Sequence, residues 1–227
     1  MDSAEFKKLV TEHFAPKIRT LGWKGSGFHY RKVEANHVVK IFGLHGTWMG
    51  GTIYCETAIH FDFIPDLAGN PHNKTTFASC IIRERLFSDK AEHYITISED
   101  KAENIKKINK LWEEFQGAGQ AFYRDFDTFP ETFASIKPKH FNQRRFFCFG
   151  PKKRIKILNK YFITNEIHLA WLLKEINLFI GRSAIAKEFA DLGMQMINES
   201  ASKWAKEGYA QMNQSYLETI TERFKIK

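Results

Sequence analysis

Between Glu131 and Glu166 the sequence has no acidic residue but nine cations: Lys137, Lys139, Arg144, Arg145, Lys152, Lys153, Arg154, Lys156 and Lys160. The formal net charge of the whole chain is +8, so everything outside this interval sums to −1. Aromatic residues interleave with the cations: Phe141, Phe146, Phe147, Phe149, Tyr161 and Phe162. Cationic side chains neutralise phosphates and aromatic faces stack on bases, so the interval from 137 to 160 reads as a candidate polyanion surface. Arg144, Arg145, Lys152, Lys153 and Arg154 are its candidate binding residues. The same composition describes a solvated basic face with its aromatics turned into a core, or a patch that meets anionic proteins or lipid headgroups.

Other residues could do chemistry of a different kind. Nine histidines invite a metal site, yet none forms HExxH and no CxxC occurs. His60 and Asp62 stand two apart in a predicted strand, hence on one face, and could supply two ligands or an acid–base pair. His13, His29, His37 and His45 fall on neighbouring elements with no spacing that relates them. Scattered histidines are ordinarily hydrogen-bonded structural residues, and neither a metal nor a cofactor is expected. Nucleophilic chemistry has no G-x-S-x-G elbow, and Cys80 has no identifiable base. Glu56 and Asp62 could face a common cleft. The glycines of His45 to Gly51 (HGTWMGG) lack a following GK[ST], so this segment reads as a hairpin loop with Trp48 at its tip as a candidate interaction anchor.

These residues need elements to hold them. Phe6, Leu9, Val10, His13 and Phe14 recur at helical spacing behind Ser3 as cap, with Pro16 ending or kinking the helix. Gly25-Ser26-Gly27 reads as a flexible turn. Three strand-like runs follow, Phe28 to Val33, Val38 to Leu44 and Thr52 to Phe63, and their short connections make them an antiparallel meander. Phe77 to Leu86 is ambiguous between helix and strand, and Tyr94 to Ile97 reads as one more short strand. Ser98 is the expected cap of a helix whose apolar stripe is Ile105, Ile108, Leu111, Trp112 and Phe115. Within it, Ile108 and Trp112 are expected to be nearly buried, and Lys106, Lys110 and Glu113 wet. Residues 117 to 138 read as irregular or short-helical. Beyond them the pattern is helical: Asn165 to Ile180, Ser183 to Leu192 with a stop at Gly193, Met196 to Glu207, and Tyr209 to Phe224 after Gly208.

The fold class that follows is α+β: an antiparallel meander sheet with helices packed against it, then a helical C-terminal region. The expected division is a sheet domain over 1–135 and a basic segment plus helical subdomain over 136–227. The opening third resembles a bacterial family known only as a domain of unknown function, number 4304. Phe6, Phe14-Ala15-Pro16, Ile18, Leu21-Gly22-Trp23-Lys24, Gly27-Phe28-His29-Tyr30-Arg31 and Cys80 to Leu86 carry the likeness, over roughly the first 120 residues. The resemblance implies an antiparallel sheet with helices against it. It brings no established activity and no functional residues.

Composition narrows the class further. An acidic start without an apolar run argues against a secretory signal, and no stretch is apolar enough to span a bilayer. Cys55, Cys80 and Cys148 are odd in number and lie among apolar neighbours, which suits reduced core thiols in the cytoplasm. The 21 phenylalanines suggest an aromatic-rich core. The leading functional expectation is a non-catalytic binding or interaction protein of the bacterial cytoplasm with a protein partner, immunity-type in one version. The basic balance argues against an inhibitor of nucleic-acid-degrading toxins, which would be acidic. The alternatives are a nucleic-acid binder using 137–160 and an enzyme with a non-contiguous His/Asp site. Oligomeric state is not encoded in any of these features.

Overall fold

The computed structural model describes residues 1–47, 50–86, 94–141, 162–163 and 165–226. The chain divides into two compact units, Met1–Phe129 and Pro130–Lys227. No helix among the described residues is long and apolar enough to cross a membrane.

The first unit opens with α1 (Ser3–His13) and α2 (Ala15–Thr20), where Pro16 stands in the first turn of α2. The cap of α1 is Asp2, one residue before the expected Ser3. Its carboxylate accepts from the Glu5 amide at 2.8 Å, and Glu5 accepts from the Asp2 amide at 3.1 Å. Strands β1 (Lys24–Ser26), β2 (His29–Val33), β3 (Val38–Gly46) and β4 (Thr52–Phe61) then pair antiparallel in sequence order. The strand pattern predicted the meander of β2, β3 and β4. Gly25, expected in a flexible turn, belongs to a strand instead: a Cβ there would lie 2.1 Å from the His29 carbonyl oxygen, so only glycine allows β1 to fold so closely onto β2. The ambiguous segment resolves into both answers, a 3-10 turn at Phe77–Ser79 followed by β5 (Ile82–Arg85) on β4. The short strand β6 (Ile95–Thr96) pairs with the start of β4.

The inner face of this sheet carries the aromatic core. The Phe14 ring meets Tyr30 at 5.5 Å, Phe42 at 5.3 Å, Trp112 at 5.8 Å and Phe115 at 5.9 Å. Edge-on packing of this kind adds stability beyond the area it buries. Helix α3 (Lys101–Glu114) supplies part of it and continues through a π turn (Phe115–Gly119) into α4 (Gln120–Arg124). The cap of α3 is Asp100, which accepts from the Ala102 amide, while Ser98 is held by Asn104 through both its amide and its carbonyl. Lys106, Lys110 and Glu113 are exposed and Ile108 is buried, as the stripe predicts, but Trp112 is only half-buried. Asn104, Ile108, Leu111 and Phe115 form the centre of the buried stripe, and Trp112 flanks it, lying flat on Phe115.

The second unit holds α5 (Glu131–Ala134), a 3-10 turn (Pro138–His140) and three longer helices, α6 (Glu166–Phe179), α7 (Ser183–Lys206) and α8 (Ala210–Phe224). Asn165 caps α6, accepting from the Ile167 amide at 2.7 Å. Ser183 and Gly193 do not act as the cap and stop expected of them. Helix α7 begins at Ser183 without a side-chain cap and runs unbroken past Gly193. A Cβ at Gly193 would stand 2.0 Å from the Phe224 ring, so this glycine marks the close seat of α8 on α7, not a helix end. Lys174, 2% exposed, donates from Nζ to the carbonyls of Arg223 (2.5 Å) and Lys225 (3.5 Å) and pairs with Glu175 at 2.9 Å. It thereby closes the C-terminal end of α8, where orphan carbonyls collect and cations are favoured. Arg223 lies 4.3 Å over the Trp171 ring.

Candidate functional site

Most of the residues singled out in the sequence are not the ones that the fold brings together. Trp48, Cys148, Arg144, Arg145, Lys152, Lys153 and Arg154 lie outside the described residues. Of the basic interval, Lys137 and Lys139 are described, and both are exposed. His60 is buried in β4, its Nε2 3.0 Å from the Ile64 carbonyl oxygen; burial above all holds its pKa low. Asp62 lies beyond the end of β4 and pairs with His37 at 3.0 Å. The two are therefore committed to different partners. No group of three or more histidine, cysteine, aspartate or glutamate side chains suited to a metal occurs among the described residues. Cys55 and Cys80 are free and buried, and burial raises both thiols well above the ordinary cysteine range, which suits inert core residues.

The constellation that does assemble lies on the outer face of the sheet, opposite the aromatic core. Side chains alternate across a strand, so the register decides which residues share this face. His29 stands opposite Gly43, Gly43 opposite Glu56 and Glu56 opposite Arg85, making one row across four strands. Arg31, Ile41, Ala58 and Arg83 form the adjoining row, and His45 and Tyr54 pair on the other side. Glu56 is the centre: 5% exposed, it lies 3.3 Å from His45 Nε2, 3.5 Å from Arg83 Nη1 and 3.9 Å from Arg85 Nε. A carboxylate so withdrawn from water needs compensating partners, and the fold supplies two arginines from β5 and a histidine nitrogen from β3.

Rings form a line through this cluster. His29 stacks on Phe77 at 6.4 Å, Phe77 meets His45 at 5.0 Å, and His45 stacks on Tyr54 at 5.3 Å. The Arg85 guanidinium covers Tyr54 at 4.5 Å, and Tyr94 meets Tyr54 edge-on at 5.9 Å. Phe77 occupies the space above Gly43, where a Cβ would come within 2.0 Å of its ring. The ring thus fills the place between His29 and Glu56 where a substrate bridging an acid and a base would have to sit. Below it Val39, Ile41, Ala58 and Cys80 complete a small apolar layer. Asp66, fully buried in the loop that carries Phe77, fixes that loop. It accepts from the amides of Ala68 (2.9 Å) and Asn70 (2.8 Å) and from Ser79 Oγ (2.6 Å). Burial pushes its carboxyl up, but these hydrogen bonds outweigh burial and hold it below the usual range.

Among the described strand positions of this face stand the cations Lys24, Arg31, Arg83 and Arg85 and one carboxylate, Glu56. His29 is held below the ordinary histidine value, first by burial and then by Lys7 and Arg31. Sequence reading weighed Glu56 as half of a carboxylate pair and left His45 unplaced. It missed Arg83 and Arg85, whose signal was the alternation Ile82-Arg83-Glu84-Arg85: two arginines on one face of a strand. No family model, no curated protein and no solved structure matches this chain.

Proposed function

We propose that the chain is a non-catalytic binding protein of the bacterial cytoplasm and that it docks its partner on the outer face of the sheet, around Arg85, Tyr54, Tyr94 and His45. One observation carries the reading. Phe77 fills the space between His29 and Glu56, while arginine and tyrosine side chains remain at the surface; Arg85 is half exposed and Tyr94 is 41% exposed. Tyrosine and arginine are the residue types that most often anchor protein interfaces. An immunity-type role is one form of this reading. Membership of family 4304, proposed on the residues quoted above, is compatible with it and adds no chemistry.

The test is position-dependent photo-crosslinking in the cells that make the protein. A benzoylphenylalanine placed at Tyr94 should give an adduct of one defined mass, and Arg85→Glu should suppress it. The same group at Lys187, on the exposed side of α7, should give none. Equal adducts from both positions, or none from Tyr94, would overturn the reading.

The basic interval carries a second proposal, polyanion binding through Arg144, Arg145, Lys152, Lys153 and Arg154. It is favoured by the nine cations without an acid between Glu131 and Glu166.

A further inference from the structure

We infer that the partner of the outer sheet face is an acidic protein surface, whose carboxylates are met by Arg85. The inference rests on the docking reading above and adds the chemistry of the occupant.

Charge is the first ground. At the described strand positions of this side, Lys24, Arg31, Arg83 and Arg85 stand with one strand carboxylate, Glu56, which already lies within 4 Å of His45, Arg83 and Arg85. Arg31, on β2, adds a further cation to this face, and its Nη1 is buried with no hydrogen-bond partner among the described residues. A surface with that surplus attracts and orients a partner of opposite sign. Rigidity is the second ground. Arg85 is held flat on Tyr54, with Nε 3.9 Å from Glu56, and its side chain is still 50% exposed. A guanidinium already fixed in place loses little freedom when it accepts a carboxylate, and its planar fork matches that group in two hydrogen bonds.

Nucleic acid is also anionic, but the rings here are poorly placed for it. Sequence-tolerant binding of single strands relies on free aromatic faces on which bases stack. Tyr54 has His45 stacked on it and the Arg85 guanidinium over it, and Phe77 lies between His29 and His45. Phosphates could meet the arginines, but the bases would find no ring face open on Tyr54 or Phe77.

Fluorescence anisotropy at low salt can decide, with labelled poly-L-glutamate and a labelled oligo(dT) of equal charge as the two probes. Polyglutamate should bind more tightly than oligo(dT), and Arg85→Glu should weaken it about tenfold, a difference of about 1.4 kcal/mol. Lys187→Glu, which makes the same change in net charge on α7, should have a much smaller effect. Joint replacement of Lys152, Lys153 and Arg154 by alanine separates any contribution of the basic interval. Arg85→Gln, which removes the charge without reversing it, should give an intermediate loss, with circular dichroism showing that the variant is folded. The inference is overturned if polyglutamate does not bind, if Arg85→Glu affects it no more than Lys187→Glu does, or if oligo(dT) is the tighter ligand and the one lost in Arg85→Glu. A defined crosslink at position 94 together with no effect on polyglutamate would leave the docking face standing and remove only its acidic partner.

Discussion

Lys174 in the second unit and Glu56 in the first are both charges withdrawn from water, and their partners are of different kinds. In the second unit, Lys174 gives its protons to the carbonyls that close α8 and to Glu175 beside it. In the first, Glu56 is compensated by side chains of β3 and β5 that themselves reach the surface, His45 and Arg85 among them. Backbone partners cannot be offered to anything else, so the lysine cluster holds a fold together. Side-chain partners with a wet end can be shared, so the glutamate cluster can meet a second molecule. A buried charge is therefore a poor guide to function by itself; what its partners can still reach is the better one.

The sharpest way to break the contrast is Lys174→Met. It keeps the volume of the stem but leaves the α8 carbonyls and Glu175 without their cation, and should cost about 3 kcal/mol, read as a lowered urea midpoint. A loss below about 1 kcal/mol would mean that the end of α8 is closed by something else. Gly193→Ala comes next. Helix propensity alone predicts a gain of about 1 kcal/mol, yet the Phe224 ring stands in the way of the new methyl group, so a net loss of about 1–3 kcal/mol is expected. Stabilisation on thermal melting would show that α8 can shift to make room. Glu56→Gln should cost only about 1–2 kcal/mol, because its arginine partners can turn to water.

A further effect concerns pH. His168, beside Tyr216 at 3.3 Å in the second unit, is pushed down to about 4, chiefly by burial and secondarily by Arg223. Above pH 6.5 it is neutral in both folded and unfolded chains and makes no pH-dependent contribution. As pH falls below 6.5 the unfolded chain takes up the proton first, so stability declines and the decline levels off near pH 4. Because His29 and His60 are shifted in the same direction, the readout is the difference between the protein and its His168→Gln variant across pH 7.5 to 4.5. Parallel curves would dismiss the effect. The smallest change in stability belongs to joint replacement of Lys152, Lys153 and Arg154 by alanine. If the polyanion proposal holds, the melting temperature should barely move while the log–log salt slope of duplex DNA binding falls by about three units. An unchanged slope would exclude these three residues.

The sheet was legible because its strands advertise a period of two and the connections between them are short. Residues 28 to 63 needed only alternation and turn chemistry to be placed in β2, β3 and β4. Gly193 was misread because local rules treat a glycine near a helix end as a stop, whereas the reason for this one is the Phe224 ring of α8, far along the chain. The Glu56 cluster was illegible for the same physical reason. Its arginines come close only through the register of β5 on β4, which sets Arg85 opposite Glu56 across a long loop, and no spacing along the chain encodes that register. Capping was legible in kind but off by one or two residues: Asp2 for Ser3 and Asp100 for Ser98.

The seat of Phe77 on Gly43 has a consequence for descent. The two positions are locked, since any side chain at 43 collides with the ring at 77. A lineage that acquires even an alanine at 43 must first, or at once, shrink residue 77, and a lineage that loses the ring gains an unfilled space between two histidines and a glutamate. Drift at these two sites should therefore be coupled. The glycine–phenylalanine pair is what would mark a distant relative as having kept the closed form of this face. A relative with a small residue at the position of Phe77, and His29, His45 and Glu56 retained, would have a vacancy where acid–base chemistry could begin.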